Sequence, residues 1–369
     1  MHFLHILSYS WENGGASKVV YDLAKYQIEN GHEATIMSLD IDGHVRYKNI
    51  EGVNIVQIKG NFFTRFLPLF SPDLWEFLKT KSQTVDIIHH HGLWNFTLLA
   101  AHLLGLHQKS IVTVHGCAHP YTFIGNKIKR GLFSVGFQKR FLEKVKMIHV
   151  LHVGEEREIE EYLGKKTPNV YIIPNGIEVP DLKVPENKTG NDVLFLSRLH
   201  KKKGLDLLLP AFKLVLEKIP DAKLLIAGPD FGMKGFVEGY ISDNKMENSV
   251  KILGPVNGQA KIDLLLNSKV FALPSYSEGF SIAVLEALVY ELPIVASTET
   301  GLSNDISETK SGIIIELNPN SVAKAIIEIL DNENLAKEMA KNGKKLVSER
   351  FETEVVCRNF HQIVEKVFV

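Results

Sequence analysis

Cysteine is scarce: Cys117 and Cys357 are the only two in 369 residues. That excludes a disulfide framework and suits a reducing compartment. Neither sign of charge is in excess, with 42 Lys plus Arg against 43 Asp plus Glu, so no general affinity for nucleic acid is expected. Long apolar runs are missing too. The longest nearly apolar stretch, Leu98 to Leu106, carries His102 and falls well short of the ~20 residues a spanning helix needs. The start, Met1 to Ser8, has no basic leader, and its apolar stretch is of strand length, so a cytoplasmic rather than secreted protein is expected. G-x-G-x-x-G, G-K-[ST], H-E-x-x-H and C-x-x-C strings are all absent. Their absence argues against a dinucleotide oxidoreductase, a P-loop enzyme and a zinc site of the usual spacings.

What is present is globular: 45% hydrophobic residues, 23% charged, 27 glycines and 14 prolines. The length suits two cores rather than one. Short runs rich in Val, Ile, Leu and Phe alternate with segments of helical period, which predicts βα units and parallel sheets. Strands are expected near 3–8, 34–39, 54–58, 85–90, 110–115, 147–152 and 170–173. They restart near 192–197, 222–227, 250–253, 269–273, 293–297 and 312–316. The polar stretch Val179 to Asn191 reads as a linker. The fold class is therefore α/β, with two Rossmann-like doubly wound domains, 1–178 and 192–352, facing across a cleft. The amphipathic segment 353–369 packs on one of them, with a return to the N-terminal domain as one option.

Three loops could carry chemistry. Ser275 to Ala296 follows the strand Val270 to Leu273; Gly279 marks a loop and Ser281 a helix cap, and the free amides of Phe280, Ser281 and Ile282 suit an anion. Glu286 is the one acid between Ile282 and Tyr290, so its carboxylate requires a partner, either a ligand hydroxyl or a nearby lysine. Glu278 lies eight residues earlier. After the strand Val193 to Leu196 come Arg198, Lys201, Lys202, Lys203 and Gly204. Cations there suit a diphosphate that departs with its charge; the alternative is a solvated basic loop. Asn13-Gly14-Gly15 follows the first strand and would let the backbone approach an anion closely.

Histidines gather at strand ends in His89-His90-His91-Gly92 and His115-Gly116. Three consecutive histidines on a strand alternate faces and cannot all hold one ion, so no metal site is expected. His91 and His115 are instead candidates for hydrogen bonds to a substrate. Lys127 to Lys146 holds seven cations and one acid among apolar residues. It reads either as a basic amphipathic segment for peripheral contact with an anionic membrane or as a surface helix with a core face. Phe62 to Phe70 adds aromatics to the first reading.

Together these segments resemble the retaining, nucleotide-sugar-dependent glycosyltransferases of family 4 (group 1 type), which have the GT-B architecture. Glu278 and Glu286 match that family's E-x7-E pattern, followed by Pro293-Ile294-Val295-Ala296, and Arg198, Lys203 and Gly204 match its R-x4-K-G segment. Gly14-Gly15, Val114-His115-Gly116 and Ile173-Pro174-Asn175-Gly176-Ile177 also look like family signatures. The resemblance implies a UDP- or GDP-sugar donor with no cofactor and no metal. Arg198 and Lys203 would hold the diphosphate, aided by amides from Gly279 to Ile282, with Gly14 and Gly15 closing from the other domain. Glu286 would bind ribose, Glu278 the donor sugar, and His115 would stand near the reacting centre. His91 and Asn175 are acceptor-side candidates. Ser17 and Ser281 depart from the commoner family residues, and the second would shape the donor pocket.

The reading is a retaining hexosyltransferase acting on a hydroxyl of a glycan, lipid-linked, in cell-surface polysaccharide or lipopolysaccharide synthesis at the inner face of the plasma membrane. The alternatives are a small soluble acceptor, or a non-catalytic nucleotide-sugar-binding scaffold subunit.

Overall fold

The computed structural model describes residues 1–7, 15–40, 46–59, 72–118, 137–181, 184–185, 188 and 190–369. Its residues form two compact units, Met1–Gly176 joined by Thr353–Val369, and Ile177–Glu352.

The first unit contains strands β1 (His2–Leu7), β2 (Glu33–Asp40), β3 (Arg46–Ile50), β4 (Val53–Lys59), β5 (Ile87–His91), β6 (Ser110–Thr113), β7 (Met147–Val150) and β8 (Val170–Ile172). They lie in the order β3-β4-β2-β1-β5-β6-β7-β8. Every pair is parallel except β3 with β4. The sequence pattern misses β3. Its five residues, Arg-Tyr-Lys-Asn-Ile, form a polar edge strand whose reversal into β4 uses Glu51 and Gly52, both at positive φ.

Parallel strands covered on both faces bury nearly every side chain. Along β1 the alternation sends Leu4 and Ile6 into a core with Met37, Ile88, Val112 and Ile148. Phe3 goes to the opposite face, into a cluster with Ile87, Ile111 and Met147. That second face is closed by the helix Thr353–Phe368, through Val356, Cys357, Phe360 and Val364. The last helix of the chain is thus part of the first unit's core.

The second unit contains β9 (Asp192–Leu196), β10 (Lys223–Ala227), β11 (Val250–Gly254), β12 (Val270–Leu273), β13 (Ile294–Ser297) and β14 (Gly312–Ile315). All the pairs are parallel, in the order β11-β10-β9-β12-β13-β14. This is the doubly wound order, with its reversal between β9 and β12. Helices Leu205–Lys218 and Pro319–Asp331 pack against one another beside this sheet. Before β9, the Lys188 ammonium donates to the carbonyls of Leu265 (3.3 Å) and Tyr290 (3.0 Å).

Phe360 is 1% exposed, so truncating it leaves a cavity in a dense core. Phe360→Ala is expected to lower the unfolding free energy by about 3–5 kcal/mol, read by urea denaturation. A loss near zero would show that the last helix does not stabilise the first unit.

Candidate functional site

In the second unit the site begins with strand order. β9 and β12 are neighbours at the reversal, so the loops leaving their carboxyl ends share one crevice edge. Gly204 lets them touch. It sits at φ +73°, and a Cβ there would lie 1.9 Å from the Pro274 carbonyl oxygen. The Tyr276 amide donates to the Lys202 carbonyl at 2.8 Å, and the Tyr276 hydroxyl to Asp206 at 3.1 Å. This contact carries Lys203, 6% exposed, onto Glu278, to which its ammonium donates.

Ser281 caps the helix Ile282–Val289, its Oγ accepting from the Val284 amide at 3.4 Å. Phe280 is buried edge-on to Phe351, with centroids 5.5 Å apart, which fixes the turn before the helix. The Gly279 carbonyl accepts from the Gly301 amide at 2.8 Å. Of the two partners open to Glu286, the structure shows the lysine: Lys261, on the helix Gly258–Asn267, donates to its carboxylate at 2.5 Å. Arg198 is exposed, its guanidinium 5.2 Å from the centre of the Phe231 ring. The crevice edge therefore holds two lysine–carboxylate pairs and an arginine braced on an aromatic face.

In the first unit, candidate residues again lie at carboxyl strand ends. Gly15 opens the helix Gly15–Glu29 and is exposed, whereas Gly14 lies outside the described residues. His115 and Gly116 follow β6 at φ +51° and +69°. Non-glycine residues rarely adopt this conformation, and here Glu155 holds it. Its fully buried carboxylate accepts from the Gly116 amide and, at 2.7 Å, from the Leu151 amide. Burial pushes its pKa up to about 7, against the lowering effect of those amides.

His115 is half-buried, and its Nε2 lies 3.0 Å from His91 Nδ1. His91 Nε2 lies in turn 3.3 Å from His5 Nδ1, and His5 Nε2 lies 2.8 Å from the Gln27 carbonyl oxygen. Loss of hydration lowers the pKa of His5, His91 and His115, which keeps these imidazoles neutral. His91 itself is buried in this chain of rings. His90 points to the other face, towards Thr97 (3.3 Å) and Ser110 (3.4 Å). Asn175 is buried beside a cavity of about 30 Å³ that Asp22, His149 and Cys357 also line.

Residues 127–136 and 62–70 lie outside the described residues. From Phe137 onward the basic segment shows the core-face pattern: Phe137, Phe141, Leu142 and Val145 are buried, while Arg140 and Lys144 are exposed. Among the described residues no helix is long and apolar enough to cross a membrane.

Sequence reasoning missed Glu155, Lys261, His5 and Gln27. Glu155 sits among charged neighbours on its helix, and Lys261 on a helix with Gln259 and Asp263 beside it, so both read as parts of solvated faces. His5 did carry a signal, being a polar residue on the β1 face that otherwise presents Phe3 and Leu7. The expectation of no metal site took the histidine run 89–91 together with the absence of H-E-x-x-H and C-x-x-C strings; register places His5 opposite His89, so three imidazoles meet from two strands.

Residues 13–180 match the Glycosyltransferase Family 4 family and residues 181–346 the Glycosyl transferases group 1 family. An uncharacterized glycosyltransferase of Methanocaldococcus jannaschii is 27% identical over 375 aligned positions, covering 94% of this chain and 92% of the relative. A UDP-Gal:alpha-D-GlcNAc-diphosphoundecaprenol alpha-1,3-galactosyltransferase of Escherichia coli is 28% identical over 291, covering 73% of each. Among solved structures, sucrose-phosphate synthase of Thermosynechococcus elongatus superimposes with a TM-score of 0.79 at 19% identity, covering 100% of this chain and 99% of that one.

Because Glu155 has a raised pKa in the folded protein, the native state binds its proton more tightly than the unfolded chain does. Its contribution to stability is therefore fully present below about pH 4.5 and is lost as pH rises to about 7. The difference in unfolding free energy between wild type and Glu155→Gln should shrink by up to about 3 kcal/mol between pH 4.5 and 7.5, measured by denaturant titration. A difference that grows with pH would reverse the assignment.

Proposed function

This chain belongs to the GT-B glycosyltransferases, and from that premise we propose that it is a retaining enzyme moving a hexosyl group from a UDP- or GDP-sugar to a hydroxyl of a lipid-linked glycan. The reading is carried by one observation: at the strand-order reversal of the second unit, Lys203 meets Glu278 beside the Ser281-capped helix start. Cation, carboxylate and free amides in one place are what a sugar diphosphate demands.

In this reading Arg198 and Lys203 take the diphosphate, together with the amides from Gly279 to Ile282. Lysine then exchanges a carboxylate for phosphate oxygens, and Glu278 is released to hydroxyls of the donor sugar. Lys261 holds Glu286 in the orientation in which its second oxygen accepts from ribose. The bond from the sugar's anomeric carbon to the diphosphate breaks, and a bond to the acceptor oxygen forms on the same face. The acceptor's proton passes to the departing phosphate, so no protein nucleophile is assigned. Charge on the leaving group is met by side chains, without a divalent ion. In the first unit, His115, held by Glu155, is assigned to the reacting centre, and Gly14, Gly15 and Asn175 to substrate contacts. The lipid-linked acceptor and the uridine donor are favoured by the Escherichia coli relative, whose name states both. A role in surface polysaccharide or lipopolysaccharide synthesis, with peripheral contact at the inner membrane face, follows from that acceptor.

A single Lys203 truncation would strand Glu278, a half-buried charge, and confound folding with catalysis. The neutral double variant Lys203→Met/Glu278→Gln avoids this. Its turnover should fall more than about 100-fold while its melting temperature stays within a few degrees of wild type. Wild-type turnover in the folded double variant would remove the diphosphate assignment. A thermal-shift series with UDP, GDP, ADP and their sugars tests the donor, since a ligand of the native state raises its melting point. A rise confined to ADP compounds would overturn the uridine or guanosine reading. Transfer to a polyprenyl-diphosphate sugar, compared with free sugar, tests the acceptor.

A further inference from the structure

His5, His89 and His91 lie on one face of the first sheet, fully buried. Register sets His5 of β1 opposite His89 of β5, and the two-residue spacing returns His91 to the same side. One nitrogen from each ring lies within 4.8 Å of the others. The His5 Nδ1 to His91 Nε2 separation, 3.3 Å, is about the nitrogen–nitrogen edge of a tetrahedron with zinc–nitrogen bonds of about 2.0–2.1 Å.

Proton assignment shows which nitrogens are bare. The Ile173 carbonyl can only accept, so His149 Nε2, 2.8 Å away, carries a proton. His149 Nδ1 then accepts the Thr113 hydroxyl at 2.8 Å, and the Thr113 oxygen accepts from His89 Nε2 at 2.6 Å. The proton of His89 is thereby fixed on Nε2. Its Nδ1 is an unprotonated lone pair, fully buried and without a hydrogen-bond partner. His5 donates its Nε2 proton to Gln27 and so keeps a lone pair on Nδ1. When His91 donates from Nδ1 to His115, its Nε2, which faces His5 Nδ1 at 3.3 Å, carries no proton. Each ring is held from behind by a partner, as metal-binding imidazoles are.

We propose that His5, His89 and His91 bind a single zinc-class ion that pins β1 to β5. Two coordinate bonds satisfy the lone pairs that His5 Nδ1 and His91 Nε2 turn towards each other, and a third occupies the orphaned His89 nitrogen. Three neutral imidazoles without a carboxylate select a borderline transition ion over Mg²⁺ or Ca²⁺, which seek oxygen. Phe360, stacked on His89 at 5.4 Å, shuts this side of the site, so the ion is structural. The proposal stands independently of the assigned reaction.

The test uses the full chain, stripped with a chelator and titrated with Zn²⁺ against a chromophoric competitor, with Co²⁺ absorption reporting geometry. One equivalent per chain, a raised melting temperature and a tetrahedral Co²⁺ spectrum are expected. His89→Gln should weaken Zn²⁺ binding more than about tenfold, while His102→Gln, whose ring pairs with His107, should not. Should His89→Gln fail to fold, Thr113→Val removes only the hydroxyl that orients His89 and should weaken binding about 10–100-fold. Absence of stoichiometric binding in wild type, or affinity unchanged in the His89 or Thr113 variants, would overturn the site.

Discussion

Everything at the second unit's crevice edge depends on a place where no side chain fits. Gly204 lies so close to the Pro274 carbonyl that even a methyl group is excluded, and its positive φ is one that side chains resist. That close approach brings the loop after β9 onto the loop after β12, and Lys203 onto Glu278. A second close crossing lies nearby, where a Cβ on Gly228 would lie 1.9 Å from the Ser197 carbonyl oxygen. The site is thus built on backbone packed against backbone, which leaves its charged side chains with little freedom to wander.

Charge in this protein is handled differently in its two units. The crevice edge of the second keeps lysine and glutamate in neutralising pairs, Lys261–Glu286 partly hydrated and Lys203–Glu278 more deeply buried. The first unit's sheet face instead carries neutral imidazoles under burial, where ionisation is disfavoured. Glu155 is the exception that makes the His115 turn possible. It is a buried acid held by two amides, and it occupies a position where protonation and deprotonation are close in energy.

Legibility in the sequence followed locality. The loop and helix from Ser275 to Val289 could be read because an apolar strand, a glycine, a serine cap and an apolar helix are consecutive along the chain. The basic loop after β9 could be read for the same reason. The edge strand β3 could not: five mostly polar residues carry no alternation strong enough to separate them from a loop. Nor could Lys261 or Glu155 be singled out, since what matters about each is a partner 25 or 39 residues away, fixed only when helix and strand pack. The histidine run shows the limit from the other side. Alternation correctly separates His90 from its neighbours, but the third ring of the cluster comes from β1, and only strand pairing brings it there.

The last helix carries a consequence for biosynthesis. Ile177 hydrogen-bonds to Phe351, so the chain leaves the first unit and returns to it at adjacent points, with the whole second unit threaded between as an insertion. A ribosome therefore releases the complete second unit while the first still lacks the helix that covers Phe3, Ile87 and Ile111. The first unit therefore matures only after the second has been made, with an apolar sheet face awaiting the helix Thr353–Phe368.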